Sequence, residues 1–250
     1  MRPILERVDF AVRHLSASGG DIESMPDYDY SLSDCWADFR TNPGGVLSVG
    51  GSAEVDEYPL DVVPRGSFSR PSGDATGRIA LIGHSAGGWI SRLYLSDRSY
   101  GGRAYRGSQL VHSLVTLGTP HGNAPGEAFR GVEWCNRDQS YDGVRGLAVG
   151  GVGYPGDTSG SLTRDAYSFC CSRGSDGSGY DGDGLTPIDS SLAWEGADEK
   201  MVLKDATHFP WSDVAGGNLF APELARMHKE GRPWYGSKGV IDEWAGCLEV

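Results

Sequence analysis

The stretch from Arg78 to Ser96 reads Arg-Ile-Ala-Leu-Ile-Gly-His-Ser-Ala-Gly-Gly-Trp-Ile-Ser-Arg-Leu-Tyr-Leu-Ser, and it leaves the chain little choice of local fold. Ile79 to Ile82 form an unbroken apolar run, which predicts a strand buried on both faces. Trp89, Ile90, Leu93 and Tyr94 then repeat at helical spacing. Between them stands Gly83-His84-Ser85-Ala86-Gly87, a G-x-S-x-G pattern in the strand–turn–helix setting that gives it chemical meaning. A Cβ at Gly83 or Gly87 is expected to clash where strand and helix approach. Ser85 is expected on a strained turn, its Oγ above the carboxyl ends of a sheet. The helix N-terminus behind it favours developing negative charge. Ser85 is the candidate nucleophile.

A chain of 250 residues is long enough for one α/β domain with a full core. Its 22 Lys+Arg against 34 Asp+Glu give a net charge of −12, spread along the sequence. Nucleic acid and anionic membrane need clustered basic residues, so neither is expected as a partner. Glycine, at 38 residues, is about twice the usual share of roughly 7%, which predicts long loops at 142–160 and 174–184. The five cysteines (35, 135, 170, 171 and 247) form no C-x-x-C pair. An odd count without metal spacing points to a reduced interior, with neither a disulfide frame nor zinc. No apolar run approaches the ~20 residues of a membrane span, and the N-terminus has no apolar signal core.

In chain order, residues 3–15 predict an amphipathic helix with Ile4, Val8, Ala11, Val12 and Leu15 on one stripe. Residues 17–73 are rich in Gly, Ser, Asp and Pro, with only Val46 to Val49 showing brief periodicity. They are expected to be an irregular insertion or a non-core segment. Val111 to Leu117 predicts a second buried strand, Val144 to Val149 a third weakened by Gly146, and Lys200 to Lys204 the last. Residues 122–182 form the expected cap or loop excursion, with residues 122–143 irregular and polar and a short helix at 161–171. Thr186 is expected to cap a helix that starts at Pro187. Residues 218–229 and 239–249 also read as helices. The whole chain is thus expected to be a single domain with a mostly parallel sheet and helices on both faces.

A nucleophilic serine needs a base, and the base needs a carboxylate to orient it and stabilise its charged form. In a strand–elbow–helix protein the order is Ser, acid, His, with the His after the last strand. His208 follows the 200–204 strand, whereas its downstream competitor His228 sits in a polar, solvated run. The acid belongs in Gly182-Asp183-Gly184-Leu185-Thr186-Pro187, and Asp183 is the candidate. Asp181 is its nearest rival, since Asp-Gly turns are common. His121 reads as structural, and His84, inside the elbow, cannot turn back onto its neighbour's Oγ. No pair of His or carboxylates has metal-ligand spacing, and no cofactor is implied.

Gly-His-Ser-Ala-Gly-Gly-Trp, Val-Thr-Leu-Gly-Thr-Pro-His and Gly-Asp-Gly-Leu-Thr-Pro together resemble the lipase-like α/β-hydrolases of plants, algae and cyanobacteria. The tail Pro233-Trp234-Tyr235-Gly236-Ser237, followed by Val240-Ile241-Asp242-Glu243-Trp244, is similar to that family's C-terminus. The resemblance implies an α/β-hydrolase fold, a plastid location among the compartments open to it, and a triad of Ser85, Asp183 and His208. It favours Asp183 over Asp181. It departs at Leu185-Thr186, where the family has Val-Val, and in front of residue 3. There the family has strands and a Pro-Gly loop that gives half of the oxyanion hole, so an N-terminally incomplete domain is expected. The Ala86 N–H is then the oxyanion donor to assign, with Gly50-Gly51 a possible substitute for the other.

These readings predict a serine hydrolase that acts on a small-molecule ester or acyl lipid. An acyltransferase would use the same triad with an alcohol as acceptor. A binding module would keep the triad and lack the oxyanion hole.

Overall fold

A computed structural model shows an α/β architecture and describes residues 2–23, 77–171, 175–209 and 231–248. The elements in chain order are α1 (Arg2–Ser18), β1 (Ile79–His84), α2 (Ala86–Leu95), β2 (Val111–Leu117) and α3 (Arg130–Cys135). They continue with β3 (Arg145–Val152), α4 (Ser161–Cys170), α5 (Ile188–Ser191), β4 (Glu199–Lys204) and α6 (Lys238–Trp244). Most of the expected insertion at 17–73, with Val46 to Val49 and Gly50-Gly51, lies outside the described residues. So do Cys35, His228 and the helix expected at 218–229.

The described chain divides into two compact units, of which the first is Met1–Ile79 with Leu93–Leu110. Here α1 runs three residues past its expected end and stops at Gly19 and Gly20, both at positive φ (68° and 92°). Its buried stripe differs from the expected one. Leu5, Asp9 and Val12 are buried, while Ile4 is 46% exposed. A polar residue on that face hid the stripe from a purely apolar reading. Asp9 tolerates burial because Arg103 (2.9 Å), Arg13 (2.8 Å) and the Tyr94 hydroxyl (3.4 Å) all donate to it. Arg103 also pairs with Glu6. Burial nonetheless raises the Asp9 carboxyl above its ordinary range.

The second unit, Ala80–Arg92 with Val111–Val250, contains nearly all of the sheet, whose strands among the described residues are ordered β1-β2-β3-β4. β2 runs parallel to β3, with Val115 opposite Leu147, and β3 runs parallel to β4, with Val149 opposite Met201. Parallel neighbours need crossovers, and the elements between the strands supply them. The inner strands β2 and β3 are buried along almost their whole length. Val115, Leu117, Leu147, Val149 and Leu203 pack with Tyr235, Val240 and Trp244 in one cluster. Each such side chain contributes about 1.5–3 kcal/mol on burial. Gly146 does not weaken β3, which is the longest of the four strands. A Cβ there would lie 2.6 Å from the Trp194 ring, so the glycine makes room for the indole.

β1 corrects the expectation of a strand buried on both faces, because Ile82 is 50% exposed. β1 is an end strand among the described ones, and an apolar run does not reveal whether both faces are covered. The segment expected to be irregular at 122–143 contains a 3₁₀ turn at Glu127–Phe129 and then α3. Cys135, Cys170, Cys171 and Cys247 are free and buried, and burial pushes the Cys135 and Cys170 thiols up to about 12.

One buried cation ties down the chain after β2. Arg92 has no exposed surface, and its guanidinium donates to Cys135 O (3.0 Å), Asp138 O (3.3 Å) and Asn136 Oδ1 (3.0 Å). It also donates to His121 Nδ1 at 3.1 Å. Arginine only donates, so His121 Nδ1 accepts and the ring proton sits on Nε2, which donates to Thr116 Oγ1 at 3.0 Å. Burial, and next the Arg92 charge, hold the His121 imidazole well below its ordinary range.

Removing the fork should be costly. Arg92→Ala is expected to lower unfolding free energy by about 3–5 kcal/mol, because it strands several buried acceptors. Lysine, lacking the planar fork, should not restore it. Urea denaturation of the three proteins checks both statements. His121 binds a proton in the unfolded chain at about pH 6.5 but resists it when folded. Stability should therefore be full above that pH and fall below it, by up to about 1.4 kcal/mol per pH unit for this one group. A shallower fall in His121→Gln, measured between pH 7 and 5, is the expected result.

Candidate active site

Ser85 sits between β1 and α2 with φ 54°, a left-handed conformation that is costly for a residue with a Cβ. Its N–H donates to Leu117 O at 2.9 Å, so the turn is tied to the carboxyl end of β2. The glycines differ from the expected pair. A Cβ at Gly83 would lie 2.5 Å from Gly88 Cα, and one at Gly88 would run into the Thr119 side chain, whereas one at Gly87 would meet nothing. Helix and strand thus close at Gly83 and Gly88, while Gly87 lies on the open side of the first turn. Ala86 begins α2 and is exposed, and its N–H is one of the first-turn amides with no intrahelical acceptor.

The loop before α5 presents two aspartates with different tasks. Asp181 Oδ1 accepts from the N–H groups of Gly153 (2.9 Å), Tyr154 (2.8 Å) and Gly182 (2.8 Å), and so anchors the end of β3. Asp183 is fully buried and takes donors on both oxygens. Oδ1 accepts from Leu185 N (3.0 Å) and Thr186 N (2.7 Å). Oδ2 accepts from His208 Nδ1 (2.7 Å) and the Tyr235 hydroxyl (2.8 Å). Thr186 is not the helix cap that was expected. Its N–H closes a tight turn around Asp183, and Pro187 occupies the cap position.

His208 follows β4 after a turn in which Asp205 has φ 58°. It is held twice on the acid loop, since its own N–H also donates to Asp183 O at 2.9 Å. The ring proton lies on Nδ1 because a carboxylate only accepts, which leaves Nε2 with a lone pair. His84, the chain neighbour of Ser85, donates from Nε2 to His208 O at 2.8 Å, and the two rings are 4.7 Å apart. Burial, and next His208, lower the His84 imidazole from its ordinary range. Asp183 and His208 are therefore in direct contact, and Ser85 is linked to them through His84. Among the described residues, Ser85 Oγ makes no hydrogen bond to the His208 ring.

Two residues escaped the sequence reading. Gly118, in Leu-Gly-Thr-Pro, has φ 56°, and a Cβ on it would lie 2.5 Å from Asp183 Oδ2 and 3.0 Å from His208 Nδ1. Tyr235, in Pro-Trp-Tyr-Gly-Ser, is fully buried, and its hydroxyl accepts from Gly151 N (2.8 Å) while donating to Asp183. Only the peptide order Thr-Leu-Gly-Thr-Pro-His hinted at the first, and nothing but the motif itself hinted at the second. Among the described residues no group of three or more His, Cys, Asp or Glu is placed to hold a metal ion, and no helix is long and apolar enough to cross a membrane. Gly118→Ala should push Asp183 and His208 apart and cost about 10²-fold in any reaction that needs their alignment. The loss of the Asp183–His208 bond in a crystal structure of that variant is the direct check.

In comparisons with known proteins, residues 66–133 match the family model described as a PGAP1-like alpha/beta domain, an α/β-hydrolase-like family. The match spans the elbow, β2 and most of α3. No curated protein and no solved structure matches the chain.

Proposed function

We propose that this protein is a serine hydrolase that cleaves carboxylic esters of acyl-lipid type through an acyl-enzyme. The observation that carries the reading is the bond from His208 Nδ1 to Asp183 Oδ2, 2.7 Å long and buried, in a chain whose Ser85 is held at φ 54° on a strand-to-helix turn. That bond fixes the His208 tautomer whose Nε2 can accept a proton. As Ser85 Oγ attacks the ester carbonyl, its proton passes to His208 Nε2. The Ala86 N–H and the positive end of α2 receive the oxyanion. Collapse breaks the bond to the alcohol, which leaves with the proton from His208. Water then attacks the acyl-Ser85 ester, giving its proton to His208, and the acid departs as Ser85 regains its hydrogen. Asp183 stabilises the imidazolium in both halves.

Ala86 is the oxyanion donor assigned here, and removal of one such donor typically costs about 10²–10³ in kcat. Activated esters need less oxyanion stabilisation. A p-nitrophenyl ester is therefore the substrate on which turnover is expected first.

A fluorophosphonate probe should label the wild-type protein at Ser85, and Ser85→Ala should abolish labelling with a loss of about 10⁶ in kcat. Asp183→Asn should cost about 10⁴ by favouring the wrong imidazole tautomer. Undiminished hydrolysis by Ser85→Ala would refute the nucleophile. An unlabelled wild-type protein that folds normally would favour a binding module.

A further inference from the structure

The Asp183 carboxylate takes four hydrogen bonds, and three of them have evident tasks. Leu185 N–H and Thr186 N–H shape the turn, and His208 Nδ1–H is the pairing itself. The fourth comes from Tyr235, remote in sequence, and it falls on Oδ2, the oxygen that faces the histidine. We propose that Tyr235 is a positioning residue of this site, whose hydroxyl sets both the direction and the basicity of the Asp183 oxygen that holds His208. The inference rests on the hydrolase reading only for its effect on rate. The coupling to the His208 ring stands by itself.

The phenol is built into place rather than left to find the carboxylate. Gly151 N–H, near the end of β3, donates to the same hydroxyl at 2.8 Å. With that lone pair occupied, the O–H is directed to Asp183. Trp244 Nε1–H donates to Tyr235 O at 2.9 Å and fixes the backbone below the ring. Tyr235 packs within the cluster of β2, β3 and α6 side chains and has no exposed surface. Burial, then the neighbouring Asp183 charge, hold the phenol well above its ordinary range, so it keeps the proton it donates.

A carboxylate oxygen shared by two donors is a weaker base than one with a single donor. Tyr235 thus spreads the Asp183 charge and keeps it from over-stabilising the His208 imidazolium. A histidine too firmly protonated would be a poor base at neutral pH. Other groups also face the pair. They are His84 from β1 and Tyr167 and Cys170 from α4, none of which is changed when only the phenol is altered.

The test uses the whole chain and two changes at one position. Tyr235→Phe removes the donor, and 3-fluorotyrosine at position 235 keeps the shape while strengthening it. Nitrogen-15 NMR of the His208 ring reports the pH at which it takes up its second proton. That midpoint should rise by roughly half to one pH unit in Tyr235→Phe and move the opposite way with fluorotyrosine. The acidic limb of the kcat/KM profile for a p-nitrophenyl ester should shift with it. A midpoint unmoved by fluorotyrosine would overturn the proposal and leave Tyr235 a structural tie to Gly151. Fluorotyrosine decides the matter even if Tyr235→Phe fails to fold. Failure of fluorophosphonate labelling with the NMR shifts intact would sink the hydrolase reading alone.

Discussion

The Asp183 carboxylate is the constraint around which this end of the molecule is arranged. A fully buried negative charge is tolerable only when its lone pairs are taken up, and here four donors take them. Those donors come from its own loop, from the segment after β4 and from the segment before α6. Satisfying one carboxylate therefore fixes three stretches of chain far apart in sequence. Gly118 then has to be a glycine because the assembled group occupies the space a side chain would need.

A second polar hub, Arg92, does comparable work for the chain after β2. It leaves the sheet on α2 and gathers the carbonyls of Cys135 and Asp138 and the side chains of His121 and Asn136. The two hubs differ in kind. Arg92 binds neutral acceptors, and its stacking against Trp194, with the guanidinium 5.2 Å from the ring centre, adds a cation–π contact. Asp183 gathers donors, one of which can change its charge. The first arrangement holds carbonyls and neutral side chains, and the second pairs a carboxylate with an imidazole.

Much of this was legible in the residues, for reasons that can be named. The elbow could be read because strand, turn and helix each leave a pattern within a few residues of Ser85. The strands β2 and β4 were legible as short apolar runs, and the α/β class followed from their alternation with helices. β3 was half legible, since its glycines look like breaks until Trp194 is seen to fill the space beside Gly146. The stripe of α1 was misread because Asp9 is a charged residue on a buried face, and its partner Arg103 lies far along the chain. The cramped glycine of the elbow was misplaced by one residue, because the obstacle, Thr119, comes from another strand end. Asp183 and Asp181 had equal claims by local chemistry. Only folding gives one of them three backbone amides and the other a histidine. Tyr235 was beyond reach, since its meaning lies wholly in a contact across 52 residues of sequence.

The buried thiols have a consequence outside chemistry at the site. Thiol reagents attack the thiolate, and burial both shields Cys135 and Cys170 and pushes their ionisation up to about 12. In the closed protein these sulfurs are almost inert at neutral pH, so modification must wait for a local opening. Cys135 ends α3 and its own carbonyl is held by Arg92, and Cys170 ends α4 beside the Asp183 loop, its sulfur 3.9 Å from Leu185 O. The protein thereby carries two native clocks, one on each polar hub, and the rate at which each sulfur is capped records how often its surroundings breathe.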